Sequence, residues 1–244
     1  MVDVKQAMIL AAGRGQRFRP ITDTIPKPMV EVGDVALIDW QIKQLIACGV
    51  EKIVVNVCYL KDILVRHLAQ WESKIEIIIS HEDTALETGG GIKQALHHFK
   101  GELFYSLNSD VILHPMHPNM LTQLNAAFDK NPATRLALLL SFKEHAVGLS
   151  GQGDFFCDTF GHVQRRGAAK TAPFFFTGAQ LIDPSIFDGV DDTIFSMNKI
   201  FDMLLPQERH LIGIINQHGS MLHVGDPEGH KAAESFLKHM TLSA

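Results

Sequence analysis

The chain has 244 residues, 46% of them hydrophobic, with 22 basic and 27 acidic side chains and a formal net charge of −5. That length and apolar content suit one α/β domain with a large core, and the acidic balance excludes the electrostatic footprint of a general nucleic-acid binder. Three cysteines without a Cys-x-x-Cys spacing argue against a disulfide framework or zinc site; no stretch approaches the roughly 20 apolar residues of a membrane span, and Asp3 and Lys5 interrupt what would otherwise be a signal peptide.

In chain order, Met8–Leu10 is an apolar run that reads as a buried strand, and Ala11-Ala12-Gly13-Arg14-Gly15 turns the chain sharply after it. Glycines there let backbone N–H groups converge on an anion, and Arg17, Arg19 and Lys27 add positive charge. The dinucleotide fingerprint fails because Phe18 takes its third glycine position, and no Gly-Lys-Ser/Thr completes a G-x-x-x-x-G-K-[ST] phosphate loop. On Gly13-Arg14-Gly15 alone, a solvated surface loop is the competing reading.

Helical periodicity over residues 37–48, 62–71, 90–98, 120–128 and 195–205 alternates with apolar strands at 53–57, 75–79, 103–107, 136–142 and 211–215, and a last helix begins near Pro227. His67, on the second of these helices, reads as a packed histidine rather than a ligand. The alternation predicts an α/β, doubly wound, mostly parallel sheet, with ligands at the carboxyl ends of its strands. From about residue 150, Gly151, Gly153, Gly161 and Gly167 punctuate short segments that read as a β-hairpin excursion. The strand that begins at Phe174 carries Gly178 near its centre, which marks either close approach of a ligand or a bulge.

Three further places carry candidate chemistry. Asp110, after a buried strand, either holds Mg²⁺ against phosphate oxygens or caps the next segment. Glu87-Thr88-Gly89-Gly90-Gly91 precedes a helix as a Gly-rich loop, and Asp226 stands just before Pro227, where it suits a helix cap.

From Leu10 to Pro28 the string resembles, without a gap, the signature L-A-A-G-x-G-x-R…P-K-P of the sugar-1-phosphate nucleotidyltransferases. The resemblance implies a Rossmann-like fold in one domain over residues 1–244, with a nucleotide-binding part at 1–145 and a sugar-binding part at 146–244. It implies nucleotide contacts at Leu10, Ala11, Ala12, Gly13, Arg14, Gly15, Glu87, Gly89 and Asn108. Arg17 would brace the leaving pyrophosphate and Lys27 would neutralise the reacting phosphates. Leu-Asn-Ser-Asp resembles the family's N-G-D motif, which places Mg²⁺ on Asp110. Gly178 matches the sugar-binding strand, and Lys170 stands in for a sugar-phosphate lysine although the family's E-K-P string is missing.

Where many members have W-x-D-x-G-T, this chain has Met221, His223 and, three residues on, Asp226, so the second metal ligand is open between His223 and Asp226. E-T-G-G-G resembles the uridylyltransferases that act on N-acetylmuramic acid 1-phosphate; guanylyltransferases more often carry a G-T-A-G type string. The reaction implied joins a nucleoside triphosphate and a sugar 1-phosphate, with no nucleic-acid or membrane partner, in the cytoplasm. Mannose- or glucose-1-phosphate as acceptor, and a non-catalytic nucleotide-sugar sensor on the same fold, are the alternatives. The residues carry no signal of oligomeric state.

Overall fold

Four apolar runs become the parallel centre of the sheet: Gln6–Leu10, Lys52–Val57, Glu76–His81 and Phe104–Asn108. A computed structural model describes residues 2–117, 119–207, 209–217 and 219–242. Strands covered on both faces need no polar side, and Met8, Ile9, Ile53, Val54 and Val55 are wholly buried. Phe104–Asn108 lies beside Gln6–Leu10, which lies beside Lys52–Val57, with Glu76–His81 outermost. The chain therefore winds outward from its first strand, then returns to that strand's other side. Strand order reverses there, connections leave in opposite directions, and a crevice opens at the carboxyl ends. Leu10 and Asn108, in register with each other, flank it.

The other half of the sheet runs through Phe174–Ile182, antiparallel to both Phe104–Asn108 and Leu136–Phe142. Leu211–Asn216 adds to Leu136–Phe142 in parallel. The expected hairpin is present as Phe155–Cys157 against Val163–Arg165, joined to the sheet where Phe155 meets Phe174. Separate apolar clusters cover the two faces, one built on Ile9, Val55 and Ile42 and the other on Met8, Ile92 and Ile200. The doubly wound α/β expectation holds, with an antiparallel strand spliced into the parallel order.

Two local readings change. The helix expected over 120–128 is split into Asn119–Thr122 and Asn125–Lys130. At the break, the Asn125 side chain is pulled inward: its Oδ1 accepts from the Tyr105 hydroxyl at 2.6 Å and its amide donates to the Val2 carbonyl at 3.1 Å. Tertiary hydrogen bonding thus overrides a helical period. A second, three-stranded sheet also forms from Val111–His114, Ser220–His223 and Ala146–Val147. It sets His223 opposite Val111, one residue from Asp110, and it packs with Phe18, Leu37 and Val224 in a third cluster under the C-terminal helix, Pro227–Leu242.

Candidate active site

The crevice is a cavity of about 530 Å³, lined by Leu10 through Arg17, Lys27, Pro28, Asn56, Glu82, Glu87, Thr88, Asn108, Ser109, Asp110 and Gly225 among others. The opening loop forms one wall because it leaves the first strand at the switch point. Gly15 holds it with φ +61°, and a Cβ there would stand 2.8 Å from the Lys27 Cβ. No side chain fits in that backbone conformation and that space. Thr22, almost wholly buried, donates its hydroxyl to the Gly15 carbonyl at 2.8 Å and fastens the turn. Phe18, the residue that breaks the dinucleotide fingerprint, is core, and its ring lies under the Lys27 ammonium, 5.6 Å from Nζ to centroid.

Lys27 and Asp110 meet across the cavity. Lys27 Nζ donates to Asp110 Oδ2 at 2.6 Å, with the side chains 12% and 22% exposed. This ion pair links the Pro26-Lys27-Pro28 segment to the end of the strand Phe104–Asn108 and leaves both charges within reach of a ligand. The Asp110 carbonyl accepts from Val224 N–H at 2.8 Å, so the main chain fixes the carboxylate's place against the second sheet. His223 lies in that sheet with Nδ1 buried and without a hydrogen-bond partner among the described residues. Burial pushes its imidazole pKa down, opposed by the Asp110 carboxylate and seconded by the charges of Lys27 and Arg17, so the ring is neutral near pH 7.

Asp226 does two jobs at the rim. Its Oδ1 accepts from Gly229 N–H at 2.9 Å, capping the C-terminal helix, while its Oδ2 lies 3.9 Å from Arg17 Nη1. Arg17 is 65% exposed, free to swing onto a phosphate.

The Gly-rich segment differs from the loop expected of it. Glu87–Ala95 is itself the helix, so Gly89, Gly90 and Gly91 lie in its first turns. Gly89 and Gly90 donate their N–H groups to the Phe195 carbonyl at 2.9 and 3.0 Å, and a Cβ on Gly90 would lie 2.2 Å from the Thr193 carbonyl oxygen. These glycines let the helix press against 193–195. Glu87 and Thr88 reach the cavity wall; Gly89 stands behind it.

The sequence reading missed what holds this wall. Asn56 Oδ1 accepts from Ala11 N–H at 2.8 Å, and Asn56 Nδ2 donates to Glu82 Oε1 at 2.6 Å. Glu82 Oε2 accepts from Leu86 N–H at 3.0 Å, and the side chain is nearly buried. Both carboxylate oxygens are therefore acceptors for fixed donors. A glutamine there must turn its NH₂ toward one of them. Glu82→Gln is expected to lower stability by about 1–3 kcal/mol, since a buried donor loses its acceptor. Urea unfolding checks this; an unchanged midpoint would mean that the two hydrogen bonds of Glu82 contribute nothing to stability.

On the other side of Asn108 lies a second hollow of about 360 Å³, lined by Asn108, Val111, Gln152, Asp154, Arg166, Gly178 and His223 among others. Gly178 has φ +77°, the strand's register shifts between Phe176 and Gln180, and a Cβ on Gly178 would stand 2.8 Å from the Asn108 side chain. The bulge reading of Gly178 therefore holds, and the group that approaches it closely is the side chain of Asn108. Lys170 is exposed and borders neither hollow; the cation that borders the second is Arg166.

Residues 6–144 match the family model described as nucleotidyl transferase. The N-acetylmuramate alpha-1-phosphate uridylyltransferase of Caulobacter vibrioides is 36% identical over 237 residues, covering 96% of this chain and 97% of that protein. The mannose-1-phosphate guanyltransferase of Neurospora crassa is 43% identical over 110 residues, covering 43% of this chain and 30% of that protein. In fold, the chain is similar to HddC from Yersinia pseudotuberculosis complexed with GMP-PN, at a TM-score of 0.75 and 20% identity over 96% of this chain and 100% of that one. With the loop from Leu10 to Arg17 and the Lys27–Asp110 pair gathered at the switch point, these matches establish that the chain belongs to the nucleotidyl transferase family, that of the sugar-1-phosphate nucleotidyltransferases.

Proposed function

We propose that the chain transfers UMP from UTP to N-acetylmuramic acid 1-phosphate, releasing pyrophosphate. The observation that carries this reading is the half-buried Lys27–Asp110 pair, set between a cavity walled by the Gly13-Arg14-Gly15 turn and a second hollow beyond Asn108. The similarity to the Caulobacter uridylyltransferase along almost the whole chain supports the choice of base and sugar. Residues 1–145 would hold the nucleotide and 146–244 most of the acceptor. A cytoplasmic location is part of this reading, because the reaction would draw on nucleoside triphosphates made there, and thiols such as Cys58 and Cys157 would stay reduced.

In this mechanism an oxygen of the sugar 1-phosphate attacks the α-phosphorus of UTP; the new phosphorus–oxygen bond forms as the bond to the β-phosphate bridge breaks, and pyrophosphate leaves. Both reactants are anions, so alignment and charge neutralisation are the main tasks. The turn from Ala12 to Gly15 binds the triphosphate through backbone N–H groups, while the Ala11 N–H stays on Asn56. Lys27 stands between the two phosphates that react. Arg17, released from its loose contact with Asp226, braces the departing pyrophosphate.

Asp110 fits a Mg²⁺ ligand: it is a partly exposed carboxylate at the cavity floor, and Mg²⁺ takes few protein oxygens, completing its shell with water and phosphate. His223 offers nitrogen, which suits softer metals, and Asp226 already spends Oδ1 on the helix cap. Asp110 would hold the ion, and when bound it neutralises and orients phosphate charge.

Pyrophosphate release measured across UTP and GTP, each with the 1-phosphates of N-acetylmuramic acid, N-acetylglucosamine, glucose and mannose, tests the reading. UTP with N-acetylmuramic acid 1-phosphate is expected to be the best pair. GTP with mannose 1-phosphate as the best pair would overturn the assignment of base and sugar, and binding of UTP with no turnover of any pair would point to a sensor.

A further inference from the structure

Three hollows lie in series. The nucleotide cavity and the second hollow share Asn108, while the second and a third share Gly153, Asp154, Arg166 and Phe176. Arg166 therefore borders the second hollow at the end away from Asn108 and from the reacting phosphates.

Arg165 and Arg166 are neighbours in sequence with opposite surroundings. Arg165 is ion-paired, its Nε donating to Asp202 Oδ1 at 2.6 Å, and its guanidinium lies over Phe155 and Phe201. Arg166 meets only neutral acceptors: Nε donates to the Gly153 carbonyl at 3.0 Å and Nη1 to the Ala169 carbonyl at 3.1 Å. Among the described residues no carboxylate pairs with it, and Nη2 has no hydrogen-bond partner. The carboxylate in the hollow's lining, Asp154, turns Oδ2 to Phe176 N–H at 3.0 Å instead. The result is a guanidinium fixed in orientation by two carbonyls, half-buried, with its charge unneutralised. Such a group is built for a planar anion.

An ordinary sugar 1-phosphate carries no anion at that end. N-acetylmuramic acid 1-phosphate does, because a lactyl ether places a carboxylate on the sugar ring away from the phosphate. We propose that Arg166 is the specificity residue that binds this second anion, so that the acceptor is held by its phosphate near Lys27 and by its carboxylate at Arg166. This rests on the acceptor proposed above and adds how the chain tells an acidic sugar from a neutral one. A site that hydrogen-bonds a substrate group rejects the analogue lacking it more strongly than any apolar pocket can.

The test compares N-acetylmuramic acid 1-phosphate with N-acetylglucosamine 1-phosphate, which differ only by the lactyl group, in the wild-type protein, Arg166→Met and Arg166→Lys. In Arg166→Met the ratio of kcat/KM for the acidic over the neutral sugar is expected to fall on the order of 10- to 100-fold. Most of that is a rise in KM for the acidic sugar, with KM for UTP nearly constant. Arg166→Lys, which keeps the charge but not the fork, is expected to retain an intermediate ratio. Because Arg166 also ties Gly153 to Ala169, a purely structural role predicts parallel losses for both sugars; an unchanged ratio in Arg166→Met overturns the proposal whether or not overall activity falls. A wild-type protein that does not use N-acetylmuramic acid 1-phosphate would instead overturn the acceptor itself, which is read from the wild-type measurement alone.

Discussion

Lys27→Ala is expected to lower turnover by a factor on the order of 10² to 10³, the cost of removing one charged donor aimed at developing negative charge. The geometry gives the reason. The ammonium is only 12% exposed, is held at 2.6 Å by Asp110, and lies over Phe18, so it is placed before substrate arrives and needs no reorganisation. Lys27→Arg is not expected to restore activity fully, because a wide planar fork cannot occupy the place of a compact ammonium against a ring and a carboxylate. Stability should change less than activity. Asp110 keeps 22% of its side chain in solvent, so water replaces the lost partner and the cost is about 1 kcal/mol or less. Pyrophosphate release and thermal unfolding, measured on the same preparation, separate the two effects. Turnover near that of the wild type would reduce Lys27 to a structural partner of Asp110.

The opening wall of the site was legible because its residues are consecutive. Leu10 to Pro28 are one strand end and the loop that follows, and the chemistry of a phosphate cradle is written there in backbone terms. The central strands were legible for a related reason: strands buried on both faces read as near-continuous apolar runs, as residues 53–55 and 136–140 do. What escaped depends on pairings distant in sequence. Ser-His-Glu-Asp at 80–83 reads as a polar run, yet Glu82 is buried because Asn56 and Leu86 supply donors from other segments. Ser220–His223 is too short to show a period, and its pairing with Val111–His114 and Ala146–Val147 makes it a strand. Gly89 and Gly90 read as part of a Gly-rich loop before a helix, but their N–H groups are taken by Phe195, over a hundred residues later. Lys170 and Arg166 are both cations before the Phe174 strand; what singles out Arg166 is its pair of carbonyl anchors, at Gly153 and Ala169, which no local spacing announces.

Asp110→Asn is expected to be the most damaging conservative substitution in the site, cutting turnover by a factor on the order of 10³, because one change removes the only carboxylate proposed for the metal and the partner of Lys27. Two consequences distinguish these losses. Thermal stabilisation by Mg²⁺ with UTP, large in the wild type, should shrink toward that given by UTP alone, a readout that needs no turnover. Stability without ligand should also fall, since Lys27, the more buried partner, is left charged with no counter-ion. The double variant Lys27→Met, Asp110→Asn removes that stranded charge. It is expected to regain stability relative to Asp110→Asn while its turnover remains no better than that of the worse single variant. If the pair served only to brace the loop against the sheet, restoring stability would restore activity. The double-variant cycle therefore decides between a brace and a reaction centre, and a parallel recovery of both properties would refute the reaction centre.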